Sequence, residues 1–197
     1  KINHYPNGEP SGFLQEMAID LITPALAVPA VEDYKNAILY YQQIGLSNGI
    51  VSAFEPMLSH TGDEPIRMNA YEEKKLKITF RVAPTLNPSD DTDEFFDFAI
   101  ACHKRFENLE KLQVNTIKFF MDGVVDGHTA VLRDPYKMAP YDCGPLMFEQ
   151  DDLNKRMERA LKEGFSIHVH AIGDAAIDEA LNGFEYAQDK VPGIYRN

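Results

Sequence analysis

The sequence predicts an α/β protein with a parallel sheet, and three observations support this fold class. Four short runs rich in β-branched and aromatic residues alternate with segments of helical periodicity. Each run ends in Pro, Gly or Asp, as a strand that leaves a sheet does. The 197 residues, 44% of them hydrophobic, are enough for a buried core. We therefore expect residues 1–197 to form one domain in which strands pair in parallel through right-handed crossovers.

Four strands and four helices are predicted. The strands are residues 49–56, 76–84, 114–123 and 165–174. The helices are indicated by apolar residues at steps of three or four. These stripes are Tyr34, Ile38, Tyr41 and Ile44, then Phe95, Phe98, Cys102, Phe106 and Leu109, then Leu153, Met157, Ala160 and Leu161, and finally Ile177, Ala180, Leu181 and Phe184. We expect Gly164 to end the third helix and Asp174 to be the N-cap of the fourth.

Two architectures fit this order of elements, an open doubly wound sheet and part of a closed (β/α)8 barrel. A complete barrel needs about 250 residues, so the length favours an open sheet or half a barrel. In both, ligands bind beyond the carboxyl ends of the strands. The polar side chains expected to gather there are Glu55, Lys118, Asp122, His168, His170 and Asp174.

Composition narrows the classes of partner. The formal net charge of −12 repels phosphate backbones and anionic lipid headgroups, so neither nucleic acid nor a membrane is expected as a partner. Cys102 and Cys143 cannot build a disulfide framework, which indicates reduced thiols in a cytoplasmic protein. His60 and His103 are expected to be exposed, the first in a loop and the second on a helix.

Two histidines lie two residues apart in the last predicted strand. Residues at this spacing face the same side of a sheet, so His168 and His170 point together. They are candidates for metal ligands, and the alternative is that each hydrogen-bonds to a neighbouring backbone.

Lys118 lies among apolar residues of the third predicted strand. A buried lysine must find a partner or lose its proton. The neutral amine could react with carbon dioxide to give a carbamate, a carboxylate-like ligand for two divalent ions. The alternative, which spacing alone favours, is an ion pair with Asp122 or Asp174.

Three segments resemble the amidohydrolase superfamily, in particular the amidohydrolase 3 family that includes N-substituted formamide deformylases. They are GEPSGFLQE (8–16), NTIKFFMDGVVDGHTAVLRDPY (115–136) and HVHAIGDAAIDEALNGFEYA (168–187). The resemblance implies a partial (β/α)8 TIM barrel, with this chain supplying about strands 2–5. It also implies one or two divalent ions, often zinc. A metal-activated water would hydrolyse a carbon–nitrogen, non-peptide amide bond of a small molecule.

The resemblance also implies roles for individual residues. Lys118 matches the strand-four lysine, commonly carboxylated and bridging, and His170 matches the strand-five metal ligand. His168, Asp122 and Asp174 would then surround the ligands without binding the metal. The segment after strand four borders the substrate pocket in the family. Within it we expect His128 and Tyr136 to bind substrate, with Thr129 and Arg133 nearby; the alternative is a packed surface loop.

Other ligands of the family pattern have no match in the sequence, namely the first-strand HxH pair, the strand-six histidine and the strand-eight aspartate. We therefore expect an internal fragment that is inactive alone, holds metal weakly and contains no assigned catalytic residue. An alternative is a non-catalytic α/β module that binds a small anion at the Gly173–Asp174 helix start, or binds a partner chain. Exposed sheet edges could also produce a homo-oligomer.

Overall fold

The computed structural model describes residues 2–14, 16–27, 29–59 and 75–193. The strands are β1 (Ile2–His4), β2 (Pro10–Leu14), β3 (Ser52–Leu58), β4 (Thr79–Pro84), β5 (Leu112–Gln113), β6 (Thr116–Phe120) and β7 (Ser166–His170). The helices are α1 (Val31–Ser47), α2 (Thr92–Phe106), α3 (Gln150–Lys162) and α4 (Asp174–Lys190), with short 3₁₀ turns at Glu16–Leu21, Thr23–Ala25 and Val125–Gly127. All four predicted strands and all four predicted helices are confirmed.

Two elements were not predicted, the antiparallel hairpin β1–β2 and the short strand β5. The hairpin turns at Asn7-Gly8, where Gly8 has a φ of 87° and donates its N–H to the carbonyl of Tyr5. Asn-Gly is a recognised turn signal, so the hairpin could have been found in the sequence. His60 lies outside the described residues, and His103 is exposed on α2 as predicted.

The main strands are parallel and follow one another in chain order. β3 pairs with β4, and β6 pairs with β7. A parallel bridge between Thr85 and Lys118 joins β4 to β6, and the backbone N–H of Leu86 donates to the carbonyl of Lys118 at 2.9 Å. The carboxyl ends of the four strands therefore lie along one edge, where both candidate architectures bind ligands.

Helices cover one face of this sheet. Ile117 and Phe119 on β6 are fully buried against a core built from α2, α3 and α4. Because side chains alternate along a strand, Lys118 and Phe120 face the other side. That second face is concave, since the ring of Phe54 on β3 reaches to 5.0 Å from His168 on β7 across two intervening strands. We call it the inner face.

The predicted apolar stripe of α4 is confirmed at Ala180 and Phe184 and wrong at Ile177 and Leu181. Ile177 and Leu181 are 43% and 60% exposed, whereas the buried positions are small residues. They are Ala176, Ala180, Gly183 and Ala187. A Cβ on Gly183 would lie 2.5 Å from the Met157 sulfur of α3, so close packing of the two helices selects small residues. The stripe of α1 is also confirmed only in part. Ile38 packs against the core, whereas Tyr41 and Ile44 are exposed and the buried positions are Gln42 and Gly45.

The helix ends agree more closely with expectation. Gly164 follows α3 with a φ of 84°, and the N–H groups of Gly164 and Phe165 bond to carbonyls of the last turn. The N-cap of α4 is Gly173 rather than Asp174, which is the first helical residue. Among the residues described, none of the helices combines the length and apolarity needed to cross a membrane.

Candidate metal centre

The predicted ligands meet on the inner face at the carboxyl ends of β6 and β7. Lys118 is the register partner of His168, and Phe120 is the register partner of His170. Neighbouring strands lie about 4.8 Å apart, so one amine and two imidazoles share a small area. The expected common direction of His168 and His170 is therefore observed.

Lys118 is almost completely buried, with 4% of its surface exposed. Its Nζ lies 4.3 Å from the centroid of the Phe120 ring. Removal from water lowers the pKa of this amine below its ordinary value. The ion pair with Asp122 or Asp174 is not formed, because each of those carboxylates is bound elsewhere. Lys118 is thus a buried amine with no carboxylate within ion-pair distance among the described residues.

His170 has one ring nitrogen engaged and one available. Its Nε2 lies 3.0 Å from the carbonyl oxygen of Gly123. Since a carbonyl can only accept, Nε2 carries a hydrogen, and in a neutral ring Nδ1 keeps its lone pair. Metal-binding histidines are commonly oriented in this way, by donating the other ring N–H to a backbone carbonyl.

His168 lies beside Lys118 and packs against Phe54. Burial lowers the pKa of its imidazole, and the charges of Lys118 and His170 lower it further. His168 is therefore neutral at pH 7, which allows one ring nitrogen to donate and the other to accept.

Asp122 fixes the backbone around these ligands. Its fully buried carboxylate accepts hydrogen bonds from the N–H groups of Val131, Ile172 and Gly173, at 2.9, 2.9 and 2.7 Å. It lies 3.9 Å from His170 Nε2, within reach of the electrostatic field of the ring but beyond a hydrogen bond. The end of β6 is thereby tied to the turn after β7.

Close packing in the same region explains why residue 173, within HAIGD (170–174), is a glycine. A Cβ on Gly173 would overlap the carbonyl of Val131, so only glycine fits. The amides at this helix start are already bound, since Ile172 and Gly173 donate to Asp122, and Ala175 and Ala176 donate to Val131. The anion-binding alternative required free amides there, and these four N–H groups are not free.

Asp174 and Glu55 do not join the site as expected. Asp174 accepts the backbone N–H groups of Arg133 and Ala175 at 2.9 and 3.0 Å, and these bonds lower the pKa of its carboxyl. It therefore anchors the loop that follows β6. Glu55 pairs in register with Val82, whose side chain belongs to the helix-side core, so Glu55 faces away from Lys118.

The two predicted substrate-binding residues lie together in that loop. The rings of His128 and Tyr136 stack, with centroids 4.5 Å apart and planes at 14°. Tyr136 is buried and donates its hydroxyl to the carbonyl of Ala130 at 2.7 Å, so its polar end is engaged; burial raises the pKa of the phenol. His128 is exposed and borders a cleft of about 490 Å³ together with Leu132. Their contact with substrate remains a prediction.

Thr85 was missed in the sequence. It follows β4, one residue beyond the predicted strand, and its bridge to Lys118 brings it to the inner face. The sequence shows that Thr85 shares a strand face with Arg81 and Ala83, which lie four and two residues before it. It does not show that Thr85 pairs in register with Lys118.

The donors suit a divalent ion but are too few to enclose one. Among the described residues, no group of three or more His, Cys, Asp or Glu side chains could hold a metal. Lys118 and His170 supply two candidate ligands, whereas zinc sites use three or four protein ligands. A zinc ion bound by these two residues would need further ligands from outside the described residues.

Comparisons with known proteins give a consistent result. The chain matches the Amidohydrolase family over residues 1–193. It is 31% identical over 186 residues to the Bacillus subtilis (strain 168) protein YtcJ, named as an amidohydrolase, covering 91% of this chain and 33% of that protein. It is 26% identical to the exoenzymes regulatory protein AepA of Pectobacterium carotovorum subsp. carotovorum, covering 90% of this chain and 37% of AepA.

Solved structures agree. An uncharacterized metal-dependent hydrolase from Pyrococcus furiosus matches with a TM-score of 0.65 and 26% identity, covering 87% of this chain and 34% of that one. A second, from Pyrococcus horikoshii OT3, gives the same TM-score and identity over 93% of this chain and 37% of that one. The chain thus spans about a third of the length of the proteins it matches.

Proposed function

Because the chain belongs to the amidohydrolase family, we propose that it carries part of the active site of a metal-dependent hydrolase. The reaction is hydrolysis of a carbon–nitrogen bond in a small, non-peptide amide. The observation that carries the proposal is the pair of nitrogen groups on the inner face. Lys118 is buried with no carboxylate partner in the part of the chain that the structure describes, and His170 is held by Gly123 so that Nδ1 faces no carbonyl bond of its own.

The sheet is proposed to be the wall of a (β/α)8 barrel, with β3, β4, β6 and β7 as about strands 2–5. The parallel order along the chain favours this arrangement over a doubly wound sheet. The inward curl between Phe54 and His168 also favours it.

Lys118 is proposed to be a ligand after carboxylation. Burial lowers the pKa of this amine and so increases the neutral fraction, whose lone pair would attack the carbon of carbon dioxide. A nitrogen–carbon bond forms, and the electron pair of one carbon–oxygen π bond moves onto the oxygen, which becomes negatively charged. The nitrogen then loses a proton to water. The product offers oxygen ligands beside the Nδ1 of His170. A divalent ion bound there, for which we propose zinc, would act as a Lewis acid and lower the pKa of its bound water.

The surrounding residues hold this arrangement in place. The Gly123 carbonyl accepts the Nε2 hydrogen of His170. Asp122 ties together the backbone segments that carry Gly123 and His170. The rings of Phe54 and Phe120 pack beside the imidazoles of His168 and His170. His128 and Tyr136 are proposed to contact the substrate at the loop cleft.

Partners and location are also proposals. The substrate is a small amide, and neither nucleic acid nor a membrane is a partner. Self-association through the edge strand β3 is proposed because a parallel edge leaves backbone groups unpaired. The free thiols of Cys102 and Cys143 support a cytoplasmic location.

The test is hydrolysis by the protein expressed with its flanking coding sequence. The metal is removed with a chelator, zinc is restored, and amine release from N-formyl and N-acyl amines is measured. Activity should return with zinc and be absent in Lys118→Ala and His170→Ala. Lys104→Ala, on the exposed surface of α2, is the matched control. Normal turnover by either site variant would refute the assignment.

A further inference from the structure

Three side chains form a row across the inner face at the level of Lys118. Thr85 is the bridge partner of Lys118 on one side, and His168 is its register partner on the other. The next residue of the chain, Leu86, packs into the helix-side core, which independently places the Thr85 side chain on the inner face.

The Thr85 hydroxyl is buried and lacks a hydrogen-bond partner in the described portion of the chain. Only 7% of the residue is exposed, and its backbone N–H is already bound to the carbonyl of Leu58. Buried hydroxyl groups are nearly always hydrogen-bonded, so an unpaired hydroxyl next to a candidate site points to an acceptor other than the unmodified residues that the structure describes.

The geometry of Lys118 indicates where that acceptor would be. The amine leans over the Phe120 ring and forms no hydrogen bond with Thr85. A carboxylate on Nζ would add two oxygen atoms to the row, and carboxylate oxygens only accept. Thr85 offers a hydroxyl donor to this group from the β4 side.

We propose that Thr85 is a positioning residue whose hydroxyl donates to one oxygen of carboxylated Lys118 and so turns the other oxygen toward the metal. The inference rests on the proposed function, because it assumes the carboxylated lysine. Thr85 takes no part in making the nitrogen–carbon bond. It selects the orientation of the group once carbon dioxide has been added.

The test measures the modification itself. Metal-free protein, expressed with its flanking coding sequence, is mixed with a fixed amount of zinc and increasing ¹³C-bicarbonate, and the lysine carbamate carbon is followed by NMR. Thr85→Val should raise the half-saturating bicarbonate concentration about tenfold, the effect of losing one hydrogen bond to an ionised group. Thr85→Ser, which keeps the hydroxyl, should stay within about twofold of the parent.

Thr116→Val is the matched control. Thr116 lies two residues before Lys118 on β6, so this change removes a hydroxyl from the same face at the opposite end of the strand, and the titration should not move. Circular dichroism checks the fold of each variant, and Thr85→Ala is a second hydroxyl-free variant if the valine protein does not fold.

The outcomes separate this inference from the proposed function. A parent-like titration for Thr85→Val, as expected if a water satisfies the hydroxyl, overturns the positioning role. So does a parent protein that hydrolyses amides without a labelled carbamate, in which case the hydrolase proposal survives. A carbamate that depends on Thr85, without any amide hydrolysis, would support the positioning role and refute the hydrolase.

Discussion

Alternate residues of one strand serve opposite purposes in this protein. On β6, Ile117 and Phe119 face the helices and are fully buried among apolar side chains. Lys118, between them, faces the inner surface, where it meets the imidazole of His168 and the orphan hydroxyl of Thr85. The helix-side face is satisfied by packing alone, whereas the inner face retains polar groups whose partners are incomplete. One face therefore stabilises the fold, and the other carries the residues of the proposed site.

The largest expected effect is on the helix-side face. Phe119→Ala removes a fully buried ring that packs near Phe148, at a centroid distance of 6.0 Å. We expect the free energy of unfolding to fall by about 3–5 kcal/mol, measured by urea denaturation. A loss below about 1 kcal/mol would show that this face does not carry the stability assigned to it.

Lys118→Met should have the opposite effects to Phe119→Ala, because it should raise stability and reduce hydrolysis. Replacing a buried amine that lacks a carboxylate partner with an apolar side chain should raise the free energy of unfolding by about 1 kcal/mol. Hydrolysis should fall more than about 100-fold, because even groups that only support metal ligands cost 10–100-fold when removed. As the control, Phe119→Ala protein that remains folded should keep its activity per folded molecule. A loss of stability in Lys118→Met would contradict the comparison between the two faces.

A pair of substitutions on α4 tests which of its faces is packed. Ala180→Leu adds volume to the buried face beside α3 and should cost about 1–3 kcal/mol of stability. Leu181→Gln, on the adjacent exposed position, should change stability by less than about 0.5 kcal/mol. Equal losses would mean that Leu181 is covered in solution, for example by a second copy of the chain, and gel filtration of both variants would detect that.

The partial error on α4 shows what the sequence could and could not predict. The strands and the helices were readable from β-rich runs and helical periodicity, whereas the roles of Lys118 and His170, implied by the family segments, stay predictions. The burial of Ala176, Gly183 and Ala187 was not readable, because small residues give little hydrophobic signal and their selection depends on the distance to α3. The Thr85–Lys118–His168 row depends on strand register, which spacing within each strand does not determine.

The smallest expected effect is a dependence of stability on pH. Burial, Lys118 and His170 together lower the folded pKa of His168. In the unfolded chain a histidine titrates near 6.5, so as the pH falls below about 7 the unfolded state takes up the proton first. Stability should therefore decline from pH 7.5 to pH 5, more in the parent than in His168→Gln. Superimposable profiles of urea midpoint against pH would contradict a neutral His168 in the folded protein.

The central claim is that Lys118 and His170 bind one divalent ion on the inner face, and anomalous X-ray diffraction at the zinc edge tests it most directly. Crystals of the protein expressed with its flanking coding sequence would be grown with zinc and bicarbonate. The account predicts a peak about 2.1 Å from His170 Nδ1, bridged to a carboxylate on Lys118. A zinc peak on His170 Nε2, or one beyond the reach of both side chains, would contradict it.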